Sequence, residues 1–400
     1  MKIGIYGGTF DPPHLGHMEA ARTAISQLGL DRLLLIPNKL PPHKFLPEDG
    51  AKEQDRMAMT ALMADAIGPK AEASDIELKL EGRSFTVNTI KILRETYPEA
   101  EFFLLMGTDM FLSFETWLSP KEIAKEVTLV PFFREESGSH ELFAVQTEKL
   151  SRELGAKVSP LALAKIHPIS STQIRKLLRQ IETQDQGGAL LWPAVYGYIL
   201  QQNSYGTKTQ MDALSLEQLR AVSYSMIRAK RIPHVQGAEE TAVWLARRWG
   251  VDETLARRAA ILHDCTKYYT LEEQLAVCKK YGIVLDELEQ NSVKMLHSKT
   301  GAALARYVFG EPMEVYHAIA CHTTGKPDMN TLDKVLYLAD YVEPTRDFEG
   351  VEALRELASL DLDRAMILGL ETTIKELKEK EAPVHQNTIQ TLARLRGSYL

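Results

Sequence analysis

Cysteine is scarce: three occur in 400 residues, Cys265, Cys278 and Cys321, all in the second half and without paired spacing. A disulfide framework is therefore excluded, and a reducing compartment is expected. Long apolar runs are missing too, since no stretch approaches the roughly 18 uninterrupted apolar residues of a membrane span. The opening MKIGIYGG meets Gly7, Gly8 and Asp11 before a signal-peptide core could form, so a cytoplasmic location is expected and no membrane partner is. Nor is there an excess of one charge. With 47 basic and 54 acidic side chains the net charge is −7. That excludes long nucleic acid as a partner and leaves any nucleotide phosphate to local donors.

What is present suits folded cores: 44% of the residues are apolar and 25% charged. A chain of this length implies two domains of roughly 200 residues each. Lys2 to Tyr6 reads as a short strand, followed by a Gly/Pro loop and a helix from about Leu15 through Leu28. A strand at 33–37, helices near 51–66 and 84–97, and buried-type strands at 102–106 and 127–130 continue the alternation. Such alternation predicts an α/β domain built on a parallel sheet, with ligands at the carboxyl ends of the strands. After Tyr198 the polar text QQNSYGTKTQMDALS marks a linker at about 204–211. From Leu214 onward the chain reads as successive amphipathic helices, so the second domain is predicted all-α. The domains fall at 1–205 and 214–400, with 206–213 between them.

GGTFDPPHLGH, Gly7 to His17, places two glycines directly after a strand, where backbone can approach a ligand closely. His14 and His17 are three apart at a helix start and share a face beside amides that favour anions; together they can donate to a triphosphate. Far downstream, ISSTQIR opens another helix, with Ser170 or Thr172 as caps and Arg175 in its first turn. Hydroxyls, amides and a guanidinium would converge there on the same phosphates.

Over about residues 1–205 the chain resembles the nicotinate-nucleotide adenylyltransferases of the HIGH-motif nucleotidyltransferase superfamily. HLGH at 14–17 and SSTQIR at 170–175 carry the likeness, with PNKLPPHK (37–44), DR (55–56), RSFTVNT (83–89), MGTD (106–109), Trp117 and Arg134. The resemblance implies a Rossmann-like sheet and transfer of an adenylyl group from ATP, accompanied by magnesium, to nicotinic acid mononucleotide. His14, His17 and Arg175 would be catalytic. Gly7, Gly8, Thr9, Phe10, Ser170, Thr172, Lys44 and Asp109 would bind ATP or phosphate, and Thr86, Trp117 and Arg134 the pyridine nucleotide. Nicotinamide mononucleotide and phosphopantetheine are the alternative acceptors. The ending NSY at 203–205 departs from the commoner Gly-Leu-Tyr and leaves the last helix cap open.

In the second half, His263 and Asp264 sit adjacent in AAILHDCTK, an apolar helix where burying both is costly without a partner such as a metal. His234, His297, His322 and Asp340 each lie on or at the end of a predicted helix. Four His and two Asp exceed one tetrahedral zinc and lack thiolates, so two metals are the better count. A pair of divalent ions can supply a hydroxide nucleophile and neutralise a leaving oxygen, which is hydrolase chemistry. His317 and Cys265 are read as structural.

The pattern is similar to the HD-domain superfamily, and within it to the symmetrical diadenosine tetraphosphatases, over about residues 214–400. ILHDCTK, SKTGA after His297, HTTGKPDM (322–329) and LADYVEPTRDF (338–348) carry it. By that resemblance His234, His263, Asp264 and Asp340 hold one iron, His297 and His322 complete a second, Lys267 and Arg346 face phosphate, and diadenosine tetraphosphate is split into two ADP. A regulatory nucleotide-binding module, or a hydrolase of cyclic dinucleotides or nucleoside monophosphates, is the competing reading.

Overall fold

The computed structural model describes residues 1–40, 49–132, 139–165 and 167–397, which form two compact units, Met1–Lys208 and Thr209–Leu400. The first unit runs β1 (Lys2–Gly8), α1 (Leu15–Leu28), β2 (Arg32–Pro37), α2 (Glu53–Ile67), β3 (Ala71–Ala73), α3 (Thr86–Thr96), β4 (Glu101–Gly107) and α4 (Thr108–Leu112). It continues through α5 (Pro120–Glu126), β5 (Val127–Phe132), α6 (Ser139–Leu154), β6 (Lys157–Val158), α7 (Ser171–Arg179), α8 (Gln184–Gly188) and α9 (Pro193–Gln202).

Its sheet is parallel throughout, in the order β3-β2-β1-β4-β5-β6. The strands read as near-continuous apolar runs because helices cover both faces: Ile3, Ile5, Leu33 to Ile36, Leu104, Leu105 and Leu129 are all buried. Tyr6 pairs with Leu35 on one side and Leu105 on the other, so β1 is central. The chain builds outward from β1 to β3, then returns to lay β4 against the other edge of β1. That reversal opens a crevice at the carboxyl ends of β1 and β4. The Gly7–Gly8 turn ends one of these strands and Met106–Gly107 the other.

The second unit is helical: α10 (Leu216–Ser225), α11 (Ile232–Trp249), α12 (Glu253–Leu262), α13 (Leu271–Tyr281), α14 (Glu287–Gln290), α15 (Val293–Tyr307), α16 (Met313–Cys321), α17 (Thr331–Val342), α18 (Val351–Leu360), α19 (Leu362–Glu379) and α20 (Gln386–Gly397). Alanines 256, 259, 260, 302, 303, 318 and 339 are fully buried, and their small side chains let α12, α15, α16 and α17 approach closely. Among the described residues no helix is long and apolar enough to cross a membrane.

Candidate active sites

In the first unit, His14 is the N-cap of α1 and His17 its third residue, and the two imidazoles form a capping box. His14 Nδ1 accepts the Gly16 N–H at 3.2 Å, and His17 Nδ1 accepts the His14 N–H at 3.1 Å. With Nδ1 an acceptor on both, each neutral ring carries its proton on Nε2. The rings lie 3.7 Å apart between centroids and are both buried. A side chain at Gly16 would meet the His14 ring at 3.1 Å, which accounts for the glycine in HLGH.

The second cluster opens α7. Ser170 is its N-cap, with its Oγ accepting from Gln173 N at 3.3 Å. Thr172 instead has its hydroxyl 3.4 Å from Arg175 Nη2. Arg175 Nη1 donates to the Asp11 carbonyl at 2.6 Å and Ser171 Oγ to the Pro12 carbonyl at 2.9 Å, so α7 is fastened to the turn after β1.

One cavity of about 510 Å³ collects these groups at the crevice. Gly7, Gly8, Thr9, Phe10, His14, His17, Ser170, Thr172 and Arg175 line it together with Thr86, Asp109 and Trp117. Lys44 and Arg134 lie outside the described residues. Four residues given no site role from the sequence also matter here. Asp11 and Glu77 are buried carboxylates on the cavity. Glu77 accepts from Asn38 at 2.6 Å and from Thr89 at 2.8 Å. Tyr205 donates to Asp11, and burial followed by that carboxylate holds its phenol well above the ordinary range. Arg56 is wholly buried beneath the turn, and that burial pulls its pKa down despite Asp11, Glu53 and Tyr205 nearby.

The second unit gathers its six candidate ligands from α11 (His234), the end of α12 (His263, Asp264), α15 (His297), the end of α16 (His322) and α17 (Asp340). His263 and His322 are the C-caps of their helices and turn Nδ1 back to the carbonyls of Ala260 (2.6 Å) and Ile319 (2.7 Å). His234 Nδ1 lies 2.9 Å from Glu343 Oε1. Glu343 packs directly on Gly237, one helical turn after His234, where any side chain would collide with its carboxylate. With Nδ1 donating in each case, the neutral rings direct Nε2 lone pairs inward. His234 Nε2 stands 3.2 Å from His263 Nε2 and 3.1 Å from Asp340 Oδ1. Three lone-pair donors facing one another is the arrangement a divalent cation relieves, so these residues fit a metal.

Asp264 turns its two carboxylate oxygens toward different groups. Oδ2 faces His263 at 3.5 Å, while Oδ1 faces His297 at 3.2 Å and His322 at 3.9 Å. It stands between the two sets because it lies just past the end of α12, which packs against α11, α15 and α16. His297 and His322 bring their Nε2 atoms within 3.2 Å. Lys267 Nζ reaches Asp264 Oδ1 at 3.3 Å and His297 Nε2 at 3.2 Å, and Arg346 Nη2 holds Asp340 Oδ1 at 2.7 Å. Arg231, not foreseen from sequence, donates to Asp264 Oδ2 from Nε at 2.7 Å.

Burial opposes ionisation of Asp264, yet the surrounding His263, His297 and Lys267 hold it well below the usual carboxylate range. Burial, then His297 and His263, lowers His322 to about 3, which keeps its ring neutral and able to ligate. His317 is exposed on α16, and Cys265 is buried with its thiol pushed up to about 12, chiefly by burial.

A parallel sheet with a glycine turn, paired imidazoles and a capped arginine helix at its switch point defines a nucleotide-handling transferase domain. A helical bundle converging four His and two Asp defines a metal-dependent one. Residues 5–177 match the family described as cytidylyltransferase-like, and residues 231–345 match the HD domain. The first half is 37% identical over 188 residues to a Shewanella pealeana protein named probable nicotinate-nucleotide adenylyltransferase, covering 45% of this chain and 86% of that one. The second half is 37% identical over 171 residues to the symmetrical bis(5′-nucleosyl)-tetraphosphatase of Halalkalibacterium halodurans, covering 41% of this chain and 88% of that one. It is 35% identical over 179 residues to the Bacillus subtilis protein of the same name, covering 44% and 96%. The chain belongs to both families, the nicotinate-nucleotide adenylyltransferases through its first half and the symmetrical bis(5′-nucleosyl)-tetraphosphatases of the HD class through its second.

Proposed function

We propose that this chain is a bifunctional enzyme of NAD biosynthesis that makes nicotinic acid adenine dinucleotide and clears diadenosine tetraphosphate. In the first unit, a 5′-phosphate oxygen of nicotinic acid mononucleotide attacks the α-phosphorus of ATP. A new P–O bond forms, the bond from the α-phosphorus to the α–β bridging oxygen breaks, and pyrophosphate leaves. No side-chain nucleophile is needed; alignment and charge stabilisation suffice. The Nε2–H groups of His14 and His17 and the Arg175 guanidinium donate to the phosphate oxygens, with Gly7, Gly8, Thr9, Phe10, Ser170 and Thr172 cradling the triphosphate. Thr86 and Trp117 receive the pyridine ring, and Lys44, Asp109 and Arg134 complete the nucleotide contacts. Magnesium enters with ATP.

In the second unit, His234, His263, Asp264 and Asp340 would hold one divalent ion and Asp264, His297 and His322 another, with iron the proposed metal. Such a pair supplies a hydroxide nucleophile and a counter-charge for the leaving oxygen. Lys267 and Arg346 bind substrate phosphates, and water cleaves the tetraphosphate between its second and third phosphorus atoms to leave two ADP. A cytoplasmic location goes with this reading, in keeping with three free, buried cysteines.

What supports the proposal is that each half brings its candidate phosphate-handling groups together, in a chain belonging to both families. The test is an assay of the purified full chain. Pyrophosphate release with ATP and each pyridine mononucleotide reads the first activity, and ADP release from dinucleoside polyphosphates reads the second. Silence in either assay removes that half of the claim.

A further inference from the structure

The turn between β1 and α1 has its carbonyl oxygens drawn away one after another. Gly8 O accepts from Asn38 N at 2.9 Å, Thr9 O from Arg56 Nη1 at 2.8 Å, Asp11 O from Arg175 Nη1 at 2.6 Å and Pro12 O from Ser171 Oγ at 2.9 Å. Arg175 and Ser171 border the cavity and can touch a nucleotide themselves; Arg56 does not border it. Its side chain is 0% exposed on α2, and its Nε and Nη2 are buried without hydrogen-bond partners. A buried guanidinium using one of its nitrogens is a costly way to fill space.

The geometry of one peptide plane shows what that nitrogen achieves. A peptide C=O and the following N–H point in opposite directions. Thr9 O directed to Arg56 therefore turns the Phe10 N–H the other way, away from Arg56, while Thr9 and Phe10 both line the cavity. Phe10 itself sits at φ 49°, in the left-handed region that a bulky residue resists. Such a conformation persists only where neighbours over-determine it, and the clamp on the preceding carbonyl does so. The Thr9 and Phe10 amides, freed in this way, can make an anion-binding concavity, while the peptides after Asp11 and Pro12 lead into prolines and carry no N–H.

We propose that Arg56 is a positioning residue for adenylyl transfer. It locks the Thr9–Phe10 peptide with its N–H toward the phosphates of ATP, and its own charge beneath the turn adds to the potential that favours them. This rests on the adenylyl-transfer reading above.

The test uses the full chain carrying Arg56→Met, Arg56→Gln or Arg56→Lys. Pyrophosphate release is measured with each substrate varied in turn, ATP binding by calorimetry, and folding by thermal denaturation; hydrolysis by the second unit normalises the protein concentration. Arg56→Met should lower kcat/KM for ATP by about 10²-fold and weaken ATP binding, with the KM for the mononucleotide within about twofold. Arg56→Gln, which keeps a donor for Thr9 O but not the charge, should fall between Met and wild type, and Arg56→Lys should restore more than Gln. Met and Gln variants that keep ATP binding and kcat/KM near wild type overturn the proposal. So does a loss shared equally by both substrates that follows the unfolded fraction. If Met does not fold, Gln and Lys carry the comparison. A wild-type chain that binds ATP but releases no pyrophosphate counts against the adenylyl-transfer reading, and the calorimetry still decides whether Arg56 shapes the phosphate site.

Discussion

Tyr205 donates its phenolic hydrogen to Asp11 Oδ1 at 2.7 Å, joining residues 194 positions apart. The same carboxylate oxygen accepts Ala51 N at 2.9 Å, while Oδ2 is buried without a hydrogen-bond partner. Tyr205→Phe would strip a buried carboxylate of one of its two donors, so a loss of about 1–3 kcal/mol from the unfolding free energy of the first unit is expected. Adenylyl transfer should fall with it, since Asp11 also supplies the carbonyl that holds Arg175. Urea titration of the full chain checks the first effect; an unchanged midpoint would show that the bond contributes nothing.

The two imidazoles of α1 should be separable from everything in the second unit. His14→Ala or His17→Ala is expected to reduce pyrophosphate release by about 10²–10³-fold, the usual cost of one donor to a developing charge. ADP release from diadenosine tetraphosphate by the same sample should not change. Parallel loss of both activities would contradict the assignment.

Trp117 lines the first cavity and packs on Phe114 at 5.3 Å between ring centroids. Trp117→Ala should raise the KM for the pyridine mononucleotide by about 3–10-fold, the worth of an aromatic pair, with little change in the KM for ATP. The reverse pattern would place ATP, not the pyridine, against this ring.

Because Asp264 offers one oxygen to each set of ligands, Asp264→Ala should empty the whole centre, whereas His297→Ala should cost about one ion per chain. Elemental analysis of the purified variants reads this directly. Equal metal content in the two would argue against the shared carboxylate.

Acid should weaken the metal-free second unit in a definite direction. Burial lowers His263, and burial with His297 and His263 lowers His322 to about 3. On unfolding both return to about 6.5, so below that value the unfolded chain binds protons the folded one refuses. Their contribution is complete above about pH 6.5 and declines as the pH falls below it, for His322 toward about 3. Denaturant midpoints after chelation at about pH 7.5 and about pH 5.5 measure it; a higher midpoint in acid would reverse the sign.

Much of this was legible in the amino-acid order. The α1 helix expected over 15–28 is observed as Leu15–Leu28, and the central strands fall within a residue or two of their apolar runs. The exceptions are short. β3 spans three residues and β6 two, too few to leave a periodic trace, and they form by pairing with strands already in place. Asn203 takes the left-handed helix cap at φ 48° where the commoner ending has glycine, which asparagine tolerates. The motifs HLGH, SSTQIR and HD announced their sites because each compresses several functional groups into one helix end. Asp11, Tyr205, Arg56 and Glu343 lay inside the quoted text without a role, since each acts on a group tens to hundreds of positions away, and a single Asp, Tyr, Arg or Glu is ordinary in any sequence. Which oxygen of Asp264 faces which histidines is likewise a matter of packing angle, to which residue order is blind.

The candidate ligands of the second unit reach across 106 positions, 340 − 234, and belong to five separate helices. Ions bound there act as rivets through the bundle as much as reagents. Without divalent metal this half would be held in a looser, more easily digested form. The working lifetime of the phosphohydrolase would then follow mineral supply, whatever the abundance of its substrate.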